Sequence, residues 1–183
     1  MVKGFTLIEY EGSKSLSRNE GFTLIELIIY SAIICVFLVG ASTFAWQIIQ
    51  GNIKVGAYRE VEQNANFAME KIITAVRNSS KIIEPEEPGD ETDYLFLKMP
   101  DPAKTLTKFK ISDGKITMSE GKMSPYPLTT DRVEVTNLKF TNLSYENTPG
   151  TVKIEMAVEH LNPAGRSEYQ ALINLENSVS LRY

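Results

Sequence analysis

Gly21-Phe22-Thr23-Leu24-Ile25-Glu26 leads without a break into Leu27 to Ile53, LIIYSAIICVFLVGASTFAWQIIQGNI, a run of 27 residues with no Asp, Glu, Lys or Arg. A helix needs roughly 20 such residues to cross the hydrocarbon core of a bilayer, so the run reads as a transmembrane segment. Glu26 is the one charged side chain at its head. A charge within a membrane-length helix costs about 2.5–3.5 kcal/mol on insertion scales, and such a carboxylate is normally there to meet a partner. Gly40, Ser42 and Thr43 are small residues that let neighbouring helices approach. Cys35, the sole cysteine, lies in the run and reads as a small lipid-facing or helix-facing hydrophobe, which leaves no intramolecular disulfide.

Working outward, all eight prolines lie at or beyond Pro85. A single long helix is therefore permitted from Phe22 to about Ile82. In its second half Tyr58, Val61, Ala65, Ala68, Ile72 and Ala75 recur at three- and four-residue steps between charged residues, so one face is apolar. Glu84 to Asp93 combines helix breakers with six acids and predicts an exposed loop. Its carboxylates are calcium-like oxygen ligands, but their spacing does not match an EF-hand loop, and a solvated loop is the favoured reading.

Beyond the loop the period becomes that of strands. Tyr94–Met99, Leu106–Ile111, Lys115–Ser119, Arg132–Leu143, Thr151–His160 and Glu168–Leu175 alternate or carry β-branched residues. Asp113-Gly114 is the strongest hairpin signal. Short connections favour antiparallel pairing, and the predicted fold class is α+β, one long N-terminal helix laid on an antiparallel β-sheet.

Catalytic and nucleic-acid chemistry find little support. The chain of 183 residues carries a net charge of −4, which excludes the broad basic footprint of most nucleic-acid binders. Lys98, Lys104, Lys108 and Lys110 do gather around one strand, and a solvated sheet face is the favoured reading of them. His160, the sole histidine, has no cysteine beside it to form a nucleophile–base pair and reads as a surface or edge-strand residue. No Gly-rich phosphate loop or nucleophile elbow is present. No catalytic residue, metal or cofactor is assigned.

The heptapeptide Gly21 to Leu27, followed at once by a membrane-length helix, resembles the cleavage and methylation motif of type IV prepilins and type II secretion pseudopilins. The resemblance implies a leader, residues 1–21, removed by a prepilin peptidase that cuts between Gly21 and Phe22 and methylates the new amine of Phe22. Residues 22–53 are then the transmembrane and assembly half of the helix, and 54–183 a soluble pilin-like domain. It implies that Glu26 meets the Phe22 amine of a neighbouring subunit and sets the axial stagger of a filament. Partners implied are the peptidase, other pilin or pseudopilin subunits and the inner or cytoplasmic membrane, with nucleic acid a partner only of a DNA-uptake pilus. The N-terminus is expected in the cytoplasm and the C-terminal domain outside it. Gly4 to Glu9 repeats the same hexapeptide, but Tyr10 to Ser15 after it is polar, so the second copy is the credible substrate. Glu20, directly before the cut, is expected to slow processing.

Major pilins of this kind often have a proline in the membrane half and a C-terminal cysteine pair, and neither is present here. Asn66 to Arg77 and Val179 to Tyr183 are similar to J-type minor pseudopilins and W-type pilus counterparts, which implies a place in a tip or initiation complex. The K-type subunit usually lacks the glutamate, so Glu26 argues against that role. The alternative reading is an exported or membrane-anchored binding protein with an ordinary signal segment, for which Thr43-Phe44-Ala45 offers a poor cleavage site before Trp46.

Overall fold

The computed structural model describes residues 21–102, 105–145 and 150–182. The chain divides into two units, Met1–Ala45 and Trp46–Tyr183.

Helix α1 spans Leu24–Asn78. It starts at a polar cap: the Glu26 amide donates to Thr23 Oγ1 at 3.3 Å and the Leu27 amide to the Thr23 carbonyl at 3.1 Å. Thr23-Leu24-Ile25-Glu26 thus has the Thr-x-x-Glu spacing of a capping box, with Thr23 as N-cap. Of residues 21–52, every one is exposed except Glu26, which is half-buried. The helix ends earlier than the expected Ile82. The Ser79 hydroxyl and amide both bond the Val76 carbonyl, at 2.8 and 3.1 Å, and the β-branched pair Ile82-Ile83 enters a strand instead.

In the second unit, Ala57, Val61, Ala65, Ala68, Ile72 and Val76 of α1 are buried in one cluster with strand residues from two sheets. The first sheet contains β1 (Lys81–Glu84), β3 (Tyr94–Lys98), β4 (Leu106–Ser112), β5 (Lys115–Glu120) and β6 (Tyr126–Pro127), in the order β1-β3-β4-β5-β6. The second contains β2 (Glu91–Thr92), β7 (Val133–Asn142), β8 (Thr151–His160) and β9 (Leu172–Ser180), in the order β2-β7-β8-β9. Every pairing is antiparallel. The α+β class and the helix-plus-antiparallel-sheet plan are as expected, but the single sheet is two.

The Asp113-Gly114 hairpin forms as expected, with Ser112 opposite Lys115 and both turn residues at positive φ, 52° and 68°. Two such residues in succession are what a type I′ turn demands. The tip also joins the sheets, since the Gly114 carbonyl accepts the Val135 amide at 2.8 Å. A side chain at Gly114 would stand 3.2 Å from Glu134 Cγ.

Two segments depart from expectation. Glu168 to Leu175 is not one strand: Ser167–Tyr169 is a 3₁₀ turn, and β9 begins at Leu172. Asn162 closes this loop by accepting the Arg166 amide at 3.0 Å and donating to its carbonyl at 2.7 Å, which delays the return to β8. The acidic segment 84–93 is a loop pinned at both ends, by Glu84 in β1 and by Glu91–Thr92 in β2. Buried Asn142 organises it, donating to the carbonyls of Pro85 and Glu86 at 2.9 and 3.0 Å. Burial of an amide side chain is tolerated because these bonds replace water.

Candidate functional site

Glu26 lies in the first turn of α1, where the unpaired amides and the helix dipole favour a negative charge. Its side chain does not close the capping box. Instead Glu26 Oε1 accepts a hydrogen bond from the Tyr30 hydroxyl at 3.2 Å, one turn along the same face. The Tyr30 ring meets Phe22 edge-on, with centroids 6.2 Å apart and planes at 73°. Phe22, Glu26 and Tyr30 therefore form one contiguous face at the head of the helix. Thr23 and Tyr30 were not singled out from the sequence, although the Thr-x-x-Glu spacing and the four-residue step from Glu26 to Tyr30 are both legible there.

Gly21 precedes this face. A Cβ placed on it would meet nothing within 4 Å, and its backbone is not among those at positive φ. Among the described residues nothing therefore demands glycine at this position. The helix beyond is long and apolar enough to cross a membrane.

Residues 16–42 match the family model of the prokaryotic N-terminal methylation motif. The methylation motif contains the second hexapeptide, Gly21 to Glu26, and not the first copy at Gly4 to Glu9, which lies outside the described residues. The match supports a type IV pilin-like family and implies a structural subunit, processed by a prepilin peptidase and assembled with other pilin subunits. One apolar helix bearing the motif fits a single-pass membrane-anchored protein. No curated protein and no solved structure matches the chain.

The other residues noted in the sequence fall elsewhere. Cys35 is exposed on α1. His160 is not a surface or edge-strand residue: it ends β8, which has β7 on one side and β9 on the other, and its side chain is 12% exposed. The ring lies 5.4 Å from that of Tyr169, with Nε2 3.8 Å from Glu60 Oε2 and Nδ1 3.0 Å from the Leu161 carbonyl. The reason is tertiary, because the 3₁₀ turn carrying Tyr169 and the helix carrying Glu60 close over the strand end. Glu60 also faces Arg132 at 3.4 Å.

The acids of 84–93 are not gathered for a cation. Glu91 pairs with Lys139 at 2.6 Å, Asp90 accepts the Glu87 amide at 3.1 Å, and no group of three metal-ligating side chains occurs among the described residues. Lys98, Lys108 and Lys110 lie on β3 and β4, while Lys104 falls outside the described residues.

Perturbed titrations belong to ion pairs on the β-sheet unit. The hydrogen bond from Lys115 holds the Asp131 carboxyl low, and its own backbone amide followed by Arg166 does the same for Glu168. Glu91 raises Lys139, and Glu176 with Glu155 raises Lys153.

Proposed function

We propose that this chain is a minor pilin or pseudopilin, a filament subunit made as a membrane-anchored precursor. Prepilin peptidase cuts between Gly21 and Phe22 and methylates the amine thus freed. The N-terminus faces the cytoplasm, and the domain carrying the sheets lies outside the membrane. After extraction from the bilayer the subunit joins a type IV pilus or type II secretion pseudopilus, in a tip or initiation complex. We assign it no catalytic role.

The observation that carries this reading is the isolation of Glu26 within residues that match the methylation motif. It is the only charged side chain from Gly21 to Ile53 and the only one of residues 21–52 that is half-buried rather than exposed. In a bundle of such helices, away from water, a carboxylate needs a cation. The amine of Phe22 is created one helical turn away by the proposed cut. It stays positive at neutral pH with or without a methyl group. Pairing between the Glu26 of one subunit and the Phe22 amine of the next then sets the axial step. Gly21 fits the same reading, since a glycine that nothing among the described residues requires is explained by an extended, unhindered passage through a peptidase cleft.

N-terminal sequencing with intact mass, on protein produced beside a prepilin peptidase, tests the proposal. Loss of residues 1–21 with a gain of about 14 Da for one methyl group is expected. An uncut chain, or one beginning at Trp46, refutes it, and the second result would favour the ordinary signal segment.

A further inference from the structure

The edge of a sheet presents a row of unpaired amides and carbonyls, and proteins ordinarily blunt it with short strands, bulges, lysine or proline. Three edge strands here are blunted. β2 and β6 have two residues each, β6 contains Pro127, and β1 has four residues and an irregular register between Ile82 and Glu84. β9 is the exception: its nine residues pair with β8 without a bulge and include no lysine and no proline. The bonds at its two ends show which way each backbone group points. The His160 amide donates to the Ala171 carbonyl and the Leu181 amide to the Gly150 carbonyl, both at 2.9 Å, so the odd-numbered residues of β9 bond β8. Leu172, Asn174, Glu176, Ser178 and Ser180 therefore turn their amides and carbonyls to the open edge, repeating about every 6.7 Å. No strand among the described residues meets them.

The side chains beside this edge define what fits it. On the core side, Ile173 and Leu175 are only partly buried. On the outer side, exposed Leu172 stands opposite Glu159, which stands opposite Glu134. Those two carboxylates enter no ion pair among the described residues, while Glu176 shares Lys153 with Glu155, at 3.0 and 3.1 Å. The outer face next to β9 is therefore acidic. A strand laid on the edge would set alternate side chains over Ile173 and Leu175, and the others beside Leu172 and Glu176. Apolar residues suit the first set. Lysine or arginine suits the second, its aliphatic stem on Leu172 and its charged head towards Glu159.

We propose that the open edge of β9 takes an extended segment of another protein, with apolar and basic residues in alternation, as an added strand of the second sheet. A second copy of this chain does not fit. The Arg182 amide bonds the Arg77 carbonyl at 3.3 Å, and His160, at the opposite end of the β8–β9 pair, lies beside Glu60, so β9 runs in the same sense as this part of α1. Antiparallel pairing of two β9 edges would set the two α1 helices head to tail, which chains anchored by α1 in one membrane cannot adopt. Parallel pairing keeps the helices aligned but turns one sheet over, so that Ile173 and Leu175 of each copy meet the polar outer face of the other. The remaining edges of a second copy are too short or too irregular to cover β9. This site is independent of the assembly role proposed for Glu26.

The test is residue-resolved amide hydrogen exchange of the full chain in non-ionic detergent, with and without a capped peptide of about eight residues that alternates valine and lysine. In the free chain the amides of Asn174, Glu176 and Ser178 are expected to exchange fast and those of Ile173, Leu175 and Asn177 slowly. Saturating peptide is expected to slow the first set and leave the second unchanged. Asn174→Pro removes one outward donor and no bond to β8, and is expected to weaken the labelled peptide about tenfold in fluorescence anisotropy. The E134Q/E159Q double variant leaves the backbone as it is and is expected to cost about three-fold at low salt. Circular dichroism confirms that both variants fold. Absence of peptide binding, or binding that leaves the outward amides unprotected, overturns the proposal. So does equal affinity for a peptide with its valines and lysines in separate blocks, or for one that alternates valine and glutamate. Protection of the same amides on concentrating the chain alone also overturns it, since the occupant would then be a second copy.

Discussion

Thr107→Val is expected to stabilise the β-sheet unit. Thr107 lies on β4, in register with Leu97 and Glu120, and is 0% exposed on the inner face beside Phe109. Its hydroxyl oxygen is buried with no hydrogen-bond partner among the described residues. An uncompensated hydroxyl taken from water costs about 1–3 kcal/mol by protein mutational measures. Valine has nearly the same shape, so it removes that cost without a cavity or a clash and adds a methyl group to the core. The net expectation is a gain of about 1–2 kcal/mol, or about 2–4 °C in Tm per kcal/mol for a unit of this size. Thr107→Ser is the matched control: it keeps the hydroxyl and deletes a buried methyl, and is expected to cost about 1 kcal/mol. Thermal unfolding of both variants in detergent, followed by near-ultraviolet circular dichroism, reads the difference. A valine variant with unchanged or lower Tm, beside a serine variant that behaves as expected, would show that the hydroxyl is satisfied and would refute the reasoning.

Three further outcomes follow from other sites. Asn64 is 8% exposed, donates to the Glu60 carbonyl at 2.8 Å and accepts the Thr130 amide at 2.9 Å, so Asn64→Ala is expected to cost about 1 kcal/mol in urea unfolding. Asn64→Asp keeps the acceptor for Thr130 but sets a second carboxylate one turn from Glu60, and an unfolding midpoint equal to wild type in both variants would show that the clamp contributes nothing. Glu26→Ala should leave cleavage intact and reduce filament incorporation, measured as the ratio of sheared to membrane-bound subunit, whereas normal incorporation would end the role proposed for Glu26. Lys153 is held above its ordinary pKa by Glu176 and Glu155, so its contribution is full below the unfolded value and fades as pH rises through the folded one. Lys153→Met should therefore flatten the loss of Tm as pH rises above the ordinary lysine value of about 10.4, and parallel profiles for the two proteins would contradict this.

Much of the helix and of the candidate site is legible in the chain itself. An uncharged run of 27 residues after Glu26 has one stable form in lipid, because a helix satisfies every backbone group internally. The absence of proline before Pro85 lets that helix continue, and the Asp113-Gly114 pair dictates its hairpin because few other residues accept two positive φ angles. Glu26 and Tyr30 share one face because a helical step of four brings them together, and Phe22, just before the N-cap, meets Tyr30 edge-on, a strictly local geometry. Asn64 was illegible for the opposite reason. It interrupts the apolar stripe of α1, and the amide that justifies it belongs to Thr130, 66 residues away.

The division into two sheets was likewise decided only by tertiary structure. Alternation along a strand tells which side chains face the core, but it carries no information about which neighbour completes the ladder. Glu91–Thr92 joins β7 rather than its sequence neighbour β3 because the Asn142 amide and carbonyl bond the backbone at Asp90 and Gly89. Lys81 comes beside Lys98 only because α1 stops at Asn78 and the chain folds back along β3. Local steric and solvation rules act between near residues, so they leave their mark in the sequence as spacing. Pairings between distant strands depend on which buried polar groups find partners once the core has closed, and that outcome is written only in three dimensions.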